Sequence, residues 1–147
     1  MLIDQEKIRN LIPHAGNMCL LSGVTQFNET HIMCTAESHL DPCNPLAHNG
    51  KIRTLNGIEF AAQAMAVHGG LTGLVDKRPR AGLLVSVRDV VAHTEYLSDS
   101  AETLHIEAEQ MMAENNSVCY NFRLHTRDKE LLRGRATVIL DYEGAFS

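Results

Sequence analysis

Apolar and polar residues alternate with a period of two along much of the C-terminal half of the chain. Leu104, Ile106 and Ala108 oppose His105, Glu107 and Glu109. Val118, Tyr120, Phe122 and Leu124 oppose Cys119, Asn121 and Arg123. Ala136, Val138, Leu140 and Tyr142 oppose Arg135, Thr137 and Asp141. Such alternation marks antiparallel strands with one face in a core and one in water. Asn115-Asn116-Ser117 and Arg127-Asp128-Lys129 supply turns between them. Gly82–Tyr96, rich in Val and Leu, reads as a further long strand with a break near Ala92-His93. In the N-terminal half, Met18–Phe27 and His31–Glu37 form a hairpin about Asn28-Glu29, with Ile32, Cys34 and Ala36 on one face. Ahead of it, Ile8, Leu11 and Ile12 at helical spacing predict a short helix capped by Asp4 and closed by Pro13.

One stretch follows a different rule. Asn56-Gly57-Ile58-Glu59-Phe60-Ala61-Ala62-Gln63-Ala64-Met65-Ala66-Val67-His68-Gly69-Gly70 has no strongly polar face between Ile58 and Val67. It predicts a buried helix over about Gly57–Gly70, stopped by the glycine pair and capped at its C-terminus by His68. Leu71–Val75 leaves room for a further turn. Glu59 is the one ionisable group in it before His68, and a carboxyl buried there would be held partly protonated. Its ordinary alternative is a solvated first-turn Glu favoured by the helix dipole. Residues 38–54 carry only turn signals and form a long loop into this helix. Helix, hairpin, loop, buried helix and a run of antiparallel strands predict an α+β fold, the sheet curling around the helix. An open sheet leaves an edge, so a dimer is expected.

Composition narrows the picture. The 147 residues are expected to form one domain, 1–147. The net charge of −5, without a basic stripe, argues against nucleic acid as a partner, and no apolar run is long enough to span a membrane. Asp4, Glu6 and Lys7 interrupt any leader-like segment. Cys19, Cys34, Cys43 and Cys119 form no CxxC pair and read as the reduced thiols of a cytoplasmic protein. No histidine pair falls in a metal-ligand spacing, and no phosphate loop or GxSxG elbow is present, so no metal or cofactor is expected.

Leu11-Ile12-Pro13-His14-Ala15-Gly16-Asn17-Met18-Cys19-Leu20-Leu21 resembles the opening segment of the 3-hydroxyacyl-acyl-carrier-protein dehydratases. Gly57-Ile58-Glu59-Phe60-Ala61-Ala62-Gln63 is similar to their helix motif, an acidic residue followed four positions on by Gln. The whole chain resembles a hotdog-fold dehydratase subgroup of aryl-polyene gene clusters through Asn44-Pro45-Leu46, Gly57 to Gly69, and Ser86-Val87-Arg88-Asp89. The resemblance implies a hotdog dimer, homo- or heteromeric, acting on acyl chains borne by the phosphopantetheine of acyl carrier protein. The family's Gly-His-Phe-Pro loop, which carries its catalytic base, is absent here, as is the Pro-Gly pair that opens its helix.

Candidates for the base are His14, which the hairpin brings toward Ser38-His39, then His48 and last His39. Dehydration would use a neutral His to take the proton beside the carbonyl and Glu59 to protonate the departing hydroxyl. Backbone donors around Asn56, Gly57 and Ile58 would hold the enolate oxygen. Gln63, on Glu59's face, is expected to bond the carboxyl, a dimer neighbour or simply backbone. Met65, Met111 and Met112 read as core more than as lining of an acyl tunnel. Lys77, Arg78, Arg80, Arg133 and Arg135 read as solvated, with a basic rim for carrier protein or phosphate as the alternative. Arg88 interrupts an apolar strand and is expected to pair with Asp89, Glu95 or a partner subunit. Competing functions are a hotdog thioesterase and a non-catalytic partner subunit of a heterodimeric dehydratase.

Overall fold

Asp4 caps the first helix: its carboxylate accepts the backbone N–H of Lys7 at 3.0 Å, and helix α1 runs Gln5–Leu11. The computed structural model of the protein describes residues 2–12, 18–72, 81–114 and 117–141. Pro13, Lys77, Arg78, Arg80, the Asn115-Asn116 turn and Tyr142 lie outside them. Strand β1 (Ile3–Asp4) precedes α1, then come β2 (Gly23–Phe27) and β3 (His31–Ala36). Helix α2 (Gly57–Thr72) is followed by β4 (Ala81–Ala92), β5 (Leu104–Glu114), β6 (Ser117–His125) and β7 (Glu130–Asp141). The strands form one antiparallel sheet in the order β1-β2-β3-β5-β6-β7-β4.

The alternation sets the faces. Ile32, Cys34, Ala36, Leu104, Ile106, Ala108, Tyr120, Phe122 and Leu124 are buried on the side that curls over α2. Helix α2 sends Phe60, Ala61, Ala64, Met65 and Val67 into that concavity. Phe60 alone, wholly removed from water, contributes about 1.5–3 kcal/mol of transfer free energy.

Three expectations change on contact with the structure. The first strand is shorter, Gly23–Phe27, because Met18–Ser22 bonds to α2 and to the loop after β3 more than along a ladder. Gly69-Gly70 does not stop α2, which runs on to Thr72. A Cβ on Gly70 would sit 3.3 Å from Leu11 Cδ2, so this glycine allows α1 to approach α2. Met111 and Met112 are exposed, 57% and 61%, because a bulge between Gln110 and Met112 shifts the register of β5 on β6. Met65 is core.

Gly57 is also a contact glycine. A Cβ there would lie 2.7 Å from Leu132 Cδ2 and 2.8 Å from Leu124 Cδ2, and both leucines are fully buried. Gly57→Ala is expected to destabilise by about 1–3 kcal/mol in urea melts. An unchanged midpoint would mean that α2 starts farther from the sheet than this.

Strand β4 forms one edge of the sheet along twelve residues, with no proline to blunt it. A long apolar edge of this kind is a template for another strand.

Candidate active site

The loop expected before α2 is built from turns. Asn44, buried, donates from Nδ2 to the Ser38 carbonyl (2.9 Å) and accepts the Leu46 N–H (2.9 Å) on Oδ1. His48-Asn49-Gly50-Lys51 closes as a tight turn with left-handed φ at Asn49 (54°) and Gly50 (76°). A 3-10 turn, Thr54–Asn56, leads into α2. It takes up the N–H groups of Asn56, which donates to the Arg53 carbonyl (3.0 Å), and of Gly57, which donates to the Thr54 carbonyl. Asn56 and Gly57 thus spend their N–H groups inside the turn and do not present them as donors.

Glu59 is exposed in the single chain, not buried as its apolar neighbours suggest. The reason is a strip along α2: Glu59, Ala62, Ala66 and Gly69 turn away from the sheet and stay partly or wholly accessible. One turn on, Gln63 is buried and tied to backbone. Its Oε1 accepts the Leu20 N–H at 2.9 Å and its Nε2 donates to the Met18 carbonyl at 2.6 Å. Ser38 Oγ donates to the Leu20 carbonyl at 2.8 Å, so Met18–Leu20 is fastened to both α2 and the exit of β3. Sequence reasoning left this clamp among three alternatives for Gln63. The signal that would have found it is an amide at a buried helix position beside a non-strand segment with unpaired backbone.

The histidines separate. His14 lies outside the described residues. His48 is exposed at its turn. His39 is enclosed, with Nε2 donating to the Ser100 carbonyl at 3.1 Å, and joins the loop after β3 to the loop before β5. Burial holds its pKa below the ordinary value, against the carbonyls of Ser100 and Glu102 and the charge of Glu37.

His68 does not cap α2; it is wholly buried. Its Nε2 faces the Asn28 carbonyl at 2.9 Å and must carry the proton, so Nδ1 accepts from the Tyr120 hydroxyl at 2.8 Å. The two rings meet edge to face, centroids 5.6 Å apart. Burial lowers the His68 pKa, the Asn28 carbonyl opposes this, and the charge of His31 adds to it. The unfolded chain therefore binds a proton that the folded chain refuses, and this site's stabilisation, complete above about pH 6.5, is lost as pH falls below it. Tyr120→Phe strands Nδ1 and is expected to cost about 1–3 kcal/mol at pH 7.5. His68→Met should flatten the loss of stability between pH 7.5 and 5.5 in urea melts. An equally steep loss in that variant would assign the acid sensitivity elsewhere.

On the sheet's outer face Glu107 accepts from Arg123 Nε (2.8 Å), His125 Nε2 (2.7 Å) and His31 Nε2 (3.2 Å), and His105 stacks on His125. Partial burial acts to raise the Glu107 pKa, but Arg123, His31 and His125 outweigh it and hold the carboxyl low. Among the described residues no group of His, Cys, Asp and Glu side chains is arranged to hold a metal ion. No helix among them is long and apolar enough to cross a membrane.

An acidic residue thus stands at the open start of the central helix, which the sheet wraps. Residues 6–143 match the family model described as ApeP-like, ApeP dehydratase. The chain belongs to the ApeP-like dehydratase family. No curated protein sequence matches it. Among solved structures it is similar to the dehydratase heterocomplex ApeI:P from Xenorhabdus doucetiae. That match has a TM-score of 0.82 at 20% identity, over 92% of this chain and 91% of that one. A mutant form of thioesterase PA1618 from Pseudomonas aeruginosa matches with TM-score 0.67 at 13% identity, covering 95% of both chains. Thioesterase superfamily member 2 from Mus musculus gives 0.65 at 13% identity, over 93% and 94%. At these identities the likenesses establish the fold, which is the hotdog fold. Dehydratases and thioesterases share it, so chemistry must be argued from residues.

Proposed function

We propose that this family member takes part in dehydrating a 3-hydroxyacyl thioester, carried on the phosphopantetheine arm of acyl carrier protein, to the trans-2-enoyl thioester. Glu59 protonates the departing hydroxyl, and a histidine takes the proton beside the carbonyl. The observation that carries this reading is the Gln63 clamp. It fixes Met18 to α2 one turn from Glu59, and His14 is four residues upstream of Met18. Four residues of extended chain span at most about 14 Å, a length that permits a His14–Glu59 pairing. His14 is proposed as the base, with His48 as the alternative. The entrance to α2 around Asn56, Gly57 and Ile58 is where the enolate oxygen would lie.

The working unit is a hotdog dimer. A second chain laid over the Glu59–Ala62–Ala66 strip and along β4 would exclude water from Glu59 and strengthen its electrostatics. One reason to keep a second reading is that the similar Xenorhabdus protein is a heterocomplex. In that reading this chain completes a partner's site and its own Glu59 is idle.

The test is an assay of the protein, alone and with a hotdog partner, on one 3-hydroxyacyl carrier-protein thioester, following enoyl product and free thiol. Enoyl formation lost in His14→Ala and kept in His48→Ala supports the reading. Free thiol without enoyl means thioester hydrolysis. Enoyl formation only with the partner, indifferent to every variant of this chain, means the partner does the chemistry.

A further inference from the structure

Strand register lays out the outer face of the sheet as rows. One row runs Glu109, Asn121, Arg135, Arg88 across β5, β6, β7 and β4, so Arg135 and Arg88 stand directly opposite each other. The next row runs Met112, Cys119, Thr137, Ser86. Directly opposed side chains have Cβ atoms about 4.5–5.5 Å apart, and like charges in that position repel. The expected partners of Arg88, Asp89 and Glu95, do not pair with it among the described residues. Asp89 instead sits 3.8 Å from Arg135 and Glu95 lies by Arg53. Asp89 has φ 56°, in the bulge between Arg88 and Val91. Its ion pair with Arg135 is long and solvent-exposed, hence weak.

Between the two rows lies a cavity of about 250 Å³ lined by Arg88, Arg135, Met111, Met112, Cys119 and Thr137 among others, with no acidic residue among the described ones in its lining. The larger groove beside it, about 730 Å³, is lined by three arginines and four carboxylates and has no net pull on an anion. In the smaller cavity two guanidiniums face an apolar floor of exposed thioethers.

We propose that this cavity binds a phosphate ester bearing a short apolar arm. Phosphate oxygens bridge the two guanidiniums as paired N–H acceptors and remove their mutual repulsion, while the arm covers Met111 and Met112. Asp89 is the resident counter-ion that the phosphate displaces from Arg135. The volume admits a phosphate and a few carbons and excludes a larger ligand from full burial. The inference stands apart from the dehydration reading, since Glu59 lines neither cavity.

The experiment titrates the intact protein with n-butyl phosphate, inorganic phosphate and n-butanol, followed by amide chemical shifts. Saturable binding of butyl phosphate is expected at roughly 0.1–1 mM, several-fold tighter than inorganic phosphate, with none for butanol. Arg88→Gln and Arg135→Gln should each weaken it about tenfold, Arg135→Lys less, and Asp89→Asn should tighten it. Met112→Gln should weaken butyl phosphate and leave inorganic phosphate unchanged. These side chains are exposed, so folded variants are expected, and circular dichroism checks them. Equal affinity in wild type and Arg135→Gln would overturn the assignment, as would non-saturable shifts. Competition by free 4′-phosphopantetheine and by the same group on a carrier protein separates a soluble from a carried source. Equal competition by the carrier protein without its prosthetic group would overturn the phosphate site.

Discussion

Glu59→Gln is expected to lower dehydration turnover by about 10²–10⁴-fold with KM nearly unchanged, the loss typical of removing a positioned general acid. Gln keeps the shape and can still donate a hydrogen bond, but it has no proton to give to the leaving hydroxyl. Binding of the ground state should survive while the transition state loses its acid, so kcat and kcat/KM should fall together. Glu59 is exposed in the single chain and makes no hydrogen bond within it among the described residues, so the fold of each subunit should change in stability by no more than about 0.5 kcal/mol. That separation gives the experiment its force: a dead enzyme with an unshifted melting midpoint points to chemistry. Glu59→Asp, one methylene shorter, should retain an intermediate rate. Full turnover by Glu59→Gln, alone or beside a partner subunit, would remove Glu59 from the mechanism.

Much of the fold was legible because its strands are half-buried. The alternation at Leu104–Ala108 and Val118–Leu124 predicts side-chain direction residue by residue, and each apolar member is indeed buried. The capping of α1 by Asp4 was equally local. What sequence could not supply depends on who touches whom. Gly70 looks like a helix stop, and only the approach of Leu11 shows it to be a packing glycine. His68 beside it looks like a cap, and only the position of Tyr120 on another element makes it a core residue. Met111 and Met112 look like core until a bulge turns them outward. Glu59 sits in an apolar stretch, yet Ala62 and Ala66 are too small to shield it. Composition reported the helix as hydrophobic, and side-chain size left its strip open. The site candidates were thus legible as residue types in an order, whereas their burial depends on tertiary neighbours.

Gln63→Leu is expected to be costly in two independent readouts. Leucine fills the volume but strands the Leu20 N–H and the Met18 carbonyl, both bonded to Gln63 alone among the side chains of the described residues. At about 1–3 kcal/mol for each of the two stranded groups, the loss should reach roughly 2–6 kcal/mol, or a Tm lower by about 5–20 °C. Turnover should fall further than stability alone dictates at a temperature where the variant is folded, because Met18 and Leu20 are no longer tied to α2 one turn from Glu59. Gln63→Glu sharpens the test through pH. Its ionised carboxylate would face the Met18 carbonyl, acceptor against acceptor, in a buried place, so its folded pKa must be raised above the ordinary Glu value. Stability of that variant is therefore fully present below about pH 4.3 and lost as pH rises through the raised value. A protonated carboxyl can donate to Met18 O as the amide does, so Gln63→Glu should approach wild type on acidification while Gln63→Leu stays low at every pH. A Gln63→Glu variant no less stable at pH 7.5 than wild type would show that Nε2 is not a donor to Met18, and that the clamp does not hold the segment behind His14.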